Sequence, residues 1–102
     1  MKTVQQIVEV LEQYKIPYEY SGKLNYTFEG FCPLNCLKDN CIIWARDSKS
    51  LNIEDINTYN NILIFLEKGT SVPGLRCEKL YVEDVHRTYF RVLAALFSEM
   101  DP

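Results

Sequence analysis

Histidine and tryptophan occur once each in the 102 residues, and glycine and proline only four times each. With His86 alone, no Ser-His-Asp or Cys-His order can supply an activated nucleophile. No Gly-x-Gly-x-x-Gly, phosphate-binding loop or His-Glu-x-x-His motif occurs. No stretch approaches the roughly 18 consecutive apolar residues that cross a bilayer. The start, Met1-Lys2-Thr3-Val4-Gln5-Gln6, lacks the basic flank and apolar block of a secretory signal. A cytoplasmic location is the expectation. Excess positive charge is missing too: the formal net charge is −3 and the pI about 5.1. Nothing would neutralise a phosphate backbone along a broad surface, which argues against nucleic acid as a partner but leaves room for a local basic pocket holding one small phosphorylated ligand.

What is present is a foldable chain. Apolar residues make up 47% and aromatics 13%, enough for one domain with one core. In residues 3 to 14, Val4, Ile7, Val8, Leu11 and Tyr14 recur at helical spacing. Thr3 followed by Gln6 fits a capping box, and Pro17 helps to end the helix. Leu24 to Phe31 reads as a strand with Leu24, Tyr26 and Phe28 on one face. A turn follows at residues 33 to 40, and then a brief apolar strand from Cys41 to Ala45. Ser48 to Asn61 is polar, with room for a short helix around Ile53 to Ile56. Ile62 to Leu66 is apolar enough for a strand buried on both faces. Lys68 to Gly74 reads as a loop and Lys79 to Glu83 as a third buried strand. Asp84 is the candidate N-cap of a closing helix with Val85, Tyr89, Leu93, Leu96, Phe97 and Met100 on its apolar stripe. The order predicts a small α/β (α+β) sandwich, in which a short mixed sheet is flanked by N- and C-terminal helices.

The candidate chemistry centres on Trp44, which ends an apolar strand just before Arg46, Asp47 and Lys49. An indole there can stack on a base, a carboxylate can read a base edge, and Arg46 or Lys49 can meet a phosphate. The competing reading is an ordinary core tryptophan. Cys32-x3-Cys36 has the spacing zinc sites use, Cys36-x4-Cys41 shares its thiol, and Cys77 stands apart, so there is no second pair. Reduced, structural thiols are the expectation. His86 reads as exposed or locally capping, and Glu54, Asp55, Glu83 and Asp84 as residues of turns and helix starts.

Thr27-Phe-Glu-Gly30, Ile42-Ile-Trp44, Leu80-Tyr-Val-Glu-Asp84 and Tyr89-Phe-Arg-Val-Leu-Ala-Ala-Leu-Phe97 follow one another in an order that, over nearly the whole chain, resembles the N-terminal, non-repeat domain of the UDP-3-O-(3-hydroxyacyl)glucosamine N-acyltransferases of lipid A synthesis. The resemblance implies a unit, similar to the N-terminal domains of Mur ligases, that holds the uridine of a UDP-amino-sugar. It would stand before a trimeric left-handed β-helix on which acyl transfer from acyl carrier protein takes place. In the family's Phe-x-x-Asn-x-Lys-Tyr pattern, Trp44 takes the Phe position, Asp47 the Asn position and Lys49 the Lys position, whereas Ser50 replaces the Tyr. One side of the aromatic sandwich is therefore missing. No hexapeptide repeat occurs, so no catalytic residue, metal or cofactor is expected in this chain, and a homotrimer and the carrier protein would depend on a region beyond it. A Mur-ligase domain, and a structural or interaction module that has lost the ligand, are the alternatives.

Overall fold

The computed structural model describes residues 2–97. Among them run β1 (Lys2–Thr3), α1 (Val4–Gln13), β2 (Tyr18–Glu19), β3 (Thr27–Phe28), β4 (Gly30–Phe31), β5 (Cys41–Trp44), a 3-10 turn (Ser48–Ser50), α2 (Ile53–Asn57), β6 (Leu63–Glu67), β7 (Glu78–Val82) and α3 (Val85–Phe97). A mixed five-stranded sheet has the order β2-β7-β6-β5-β4, and β1 and β3 form a two-stranded antiparallel pair. β4 to β7 are mutually parallel, and β2 joins β7 antiparallel. The fold is α/β with helices near both ends, as the sequence predicts.

Local chemistry explains the first helix. Thr3 Oγ1 accepts from the Gln6 N–H at 3.3 Å while Gln6 Oε1 accepts from the Thr3 N–H at 2.9 Å, closing the capping box. The helix ends in a Schellman motif: the Ile16 N–H donates to Leu11 O and the Lys15 N–H to Glu12 O, with Lys15 left-handed at φ 56. Val4, Ile7, Val8, Val10 and Leu11 are buried. In α3, Asp84 accepts from the Arg87 N–H through Oδ1 at 3.2 Å and from the Thr88 N–H through its backbone oxygen, so it is the N-cap. Met100, the last residue of the expected stripe, lies outside the described residues.

The sheet divides the interior into two cores, because alternation sends neighbouring side chains to opposite faces. Ile42, Leu63, Phe65, Leu80 and Val82 pack under α1 and α3. Cys41, Ile43, Ala45, Ile62, Ile64 and Leu66 pack on the other face with Ile56 of α2, Val72 and Leu75. Leu63 to Leu66 are all buried, so β6 is the central strand.

The expected strand from Leu24 to Phe31 is corrected. Only Thr27–Phe28 and Gly30–Phe31 pair, with different partners, and Leu24 is exposed rather than on a buried face with Phe28. The break falls at Glu29, where the Glu29 and Gly30 N–H groups both turn to Asn40 O. Asn40 and Asn61, both left-handed, tie this corner together. Asn61 Nδ2 donates to Thr27 O at 3.1 Å and to Asn40 Oδ1 at 2.9 Å. The third strand is also less buried than expected, since Lys79 and Tyr81 stay partly accessible.

Candidate functional site

Trp44 closes β5 at the carboxyl edge of the parallel strands, the side on which open α/β sheets bind ligands. Alternation from Ile42 turns its indole toward the helix face, where it is half-buried. Three rings of α3 meet it: His86 edge-on at 5.2 Å between centroids, Phe90 edge-on at 6.0 Å and Tyr89 tilted at 6.1 Å. His86 and Phe90 are exposed, one helical turn apart, and their rings lie 4.9 Å from each other. The Arg46 guanidinium stands 6.0 Å from the Trp44 ring, a cation–π distance.

Trp44 and Arg46 are thus together, whereas Asp47 and Lys49 belong to the following turn. Asp47 Oδ1 accepts from the Lys49 N–H at 3.0 Å, from the Ser50 N–H at 3.2 Å and from Ser50 Oγ at 3.2 Å. It is the N-cap of the 3-10 turn. Ser50 turns back onto Asp47 instead of reaching toward the indole, so it offers no second aromatic wall. Lys49 is exposed. Neither Asp47 nor Lys49 makes a ring contact, ion pair or hydrogen bond with Trp44.

The residues missed in the sequence are Tyr89 and Phe90 as neighbours of the indole. The spacing of His86 and Phe90, four apart on α3, was the available signal. What it could not show is that α3 crosses β5 at Trp44. Tyr89 is buried, donates from its hydroxyl to Ile42 O at 3.0 Å and sets its ring 5.2 Å from Phe65. Burial pushes its hydroxyl well above the ordinary value.

The strands β4 to β7 lie in sequence order across the sheet, so no reversal of direction opens a crevice between connections. A cavity of about 620 Å³ is walled by residues including Tyr20, Arg76, Glu78 and Lys79 of the β2–β7 side. Trp44 is not among its walls.

The four cysteines are free thiols, with Cys32 and Cys41 buried and Cys36 exposed. Burial, reinforced by the Cys32 side chain, pushes the Cys41 thiol up to about 12. Burial pushes the Cys77 thiol up to about 11. Neither is a ready nucleophile at neutral pH. Among the described residues, no helix is long and apolar enough to cross a membrane.

No family model, curated protein or solved structure matches this chain.

Proposed function

We propose that this chain is a nucleotide-sugar-binding domain, with a uridine base held against Trp44 at the carboxyl edge of β5. The observation that carries the reading is the placement of a half-buried indole, with Arg46 beside it, at the end of a parallel strand. The base would lie on the free part of the indole, and Arg46 is near enough to meet the first phosphate. The exposed edges of His86 and Phe90 could supply the flank that Ser50 does not. The resemblance to the lipid A N-acyltransferases extends the proposal to a UDP-amino-sugar, a cytoplasmic setting, and a trimeric parent in which acyl transfer from acyl carrier protein happens elsewhere. A Mur-ligase-like domain would use the same UDP group with a different downstream chemistry.

A second reading is favoured by a specific observation: Asp47 is committed to capping and Trp44 is packed against three α3 rings. On that reading the tryptophan fastens α3 to the sheet in a structural or interaction module.

Titration with UDP-N-acetylglucosamine, followed by Trp44 fluorescence and by calorimetry, separates the two. Nucleotide binding predicts saturable quenching, and calorimetric binding that falls at least about fivefold in Trp44→Ala, the weaker end of base stacking at about 1–3 kcal/mol. Trp44→Phe retains a ring for packing and for stacking, and should keep most of the affinity. If the nucleotide gives no heat at millimolar concentration while Trp44→Ala lowers the melting temperature, the tryptophan is structural.

A further inference from the structure

A cleft lined by basic side chains lies on the other flank of α3. Between the end of α1 and α3 is a cleft of about 350 Å³ walled by Tyr14 to Pro17, Glu83, Asp84, Arg87, Thr88 and Arg91. An adjoining depression of about 400 Å³ shares Tyr14, Arg87 and Arg91. In a chain of net charge −3, three cations converge here. Two carboxylates share the wall: Asp84 caps α3 and stands 3.8 Å from Arg87, which it pairs, and Glu83 is 4.0 Å from Lys68, so Lys15 and Arg91 carry the unpaired positive charge and Arg87 supplements it.

Arg91 is the preorganised member. Its guanidinium sits 4.5 Å from the centre of the Tyr14 ring, and its N–H groups have no hydrogen-bond or ion-pair partner among the described residues. The ring holds the guanidinium over its face while leaving its donor fork open, and such a fork suits bidentate recognition of a phosphoryl group. Lys15, also without an ion-pair partner among the described residues, is itself the left-handed residue of the Schellman motif and so is placed at the cleft. Glycine is the less strained residue there.

We propose that Lys15, Arg87 and Arg91 form a binding site for the phosphoryl group of a small phosphorylated molecule, independent of the Trp44 surface. The cleft has the dimensions of a small-ligand site rather than of an extended protein interface. All three cations are solvent-exposed, so binding is weak and falls as salt rises.

Calorimetric titration of the full chain with inorganic pyrophosphate at low ionic strength tests the proposal. Saturable binding is expected, weakened about tenfold or more in Arg91→Gln and nearly as much in Arg91→Lys, which keeps the charge but loses the fork. Lys15→Gly should weaken binding while raising the melting temperature, a combination that a merely structural lysine cannot give. Trp44→Ala should leave this binding unchanged. The proposal is overturned by lack of saturation at about 10 mM pyrophosphate, by affinity that survives Arg91→Gln or Lys15→Gly, or by dependence on Trp44. Binding of a glutamate-rich peptide in place of pyrophosphate would also overturn it, and would make the cleft a protein-docking surface.

Discussion

At the scale of single residues, the thiols show how burial decides reactivity. Cys36 is exposed, whereas Cys41 is buried and its ionisation is pushed from the ordinary 9.0 up to about 12. Cys77 rises from 9.0 to about 11 for the same main reason. A pKa that is higher in the folded than in the unfolded chain contributes stability that is fully present below the unfolded value and is lost as pH rises through the folded one. The melting temperature should therefore decline from about pH 9 toward pH 12, in part through these thiols. In native protein at pH near 8, iodoacetamide should modify Cys36 first and spare Cys41 and Cys77. Alkylation of Cys41 at the same rate as Cys36, read by peptide mass, would contradict the buried placement. The spacing in the sequence identified Cys41 as a strand residue. That Cys32 would lie beside it depended on how β4 joins β5.

At the scale of elements, legibility follows the range of the interactions. α1 was readable because its stripe from Val4 to Leu11 and its capping box are local, although Tyr14, expected on the stripe, is the exposed C-cap and the helix ends in a Schellman motif before Pro17. Thr3→Ala should cost about 1 kcal/mol by opening the box, measurable as a lower urea midpoint with an unchanged slope. A null effect there would mean that the Thr3 and Gln6 hydrogen bonds contribute nothing net. The two-residue strands β1 and β2 left no such mark, because so few residues give no period to detect. Their existence rests on partners far along the chain, Thr27–Phe28 and Tyr81–Val82 respectively. The segment from Leu24 to Phe31 misleads for the same reason. Its aromatic and β-branched residues suit a strand, but the carbonyl of Asn40 captures the amides of Glu29 and Gly30 and divides it.

At the scale of the whole molecule, stability rests on a sheet buried on both sides. Phe65 is fully buried at the middle of the central strand and meets Tyr89 edge-on. Phe65→Ala should cost about 3–5 kcal/mol, a large part of the roughly 5–15 kcal/mol available to a domain of this size. The expected result is a melting temperature lower by at least ten degrees, or failure to fold. A change of only a few degrees would show that the two cores do not share this strand as their support. The same sheet sets the limits of the candidate site. β4 to β7 follow one another across the sheet without a reversal, so any ligand of Trp44 would bind beside α3 rather than in a crevice at a switch point.

What the sequence determined by itself is whatever depends on neighbours within about one helical turn or one strand: α1 and its capping box, the Asp84 start of α3, the buried run of β6, and the position of Trp44 at a strand end. Tertiary structure alone decided the parallel order of β4 to β7, the division of Leu24 to Phe31, and the contacts that give Trp44 two opposing readings. It also decided that Lys15 and Arg91, 76 positions apart in the sequence, would face one cleft. The physical reason is that periodicity and capping are written in adjacent residues, whereas strand pairing and the crossing of α3 over β5 are settled by burying both faces of one sheet at once.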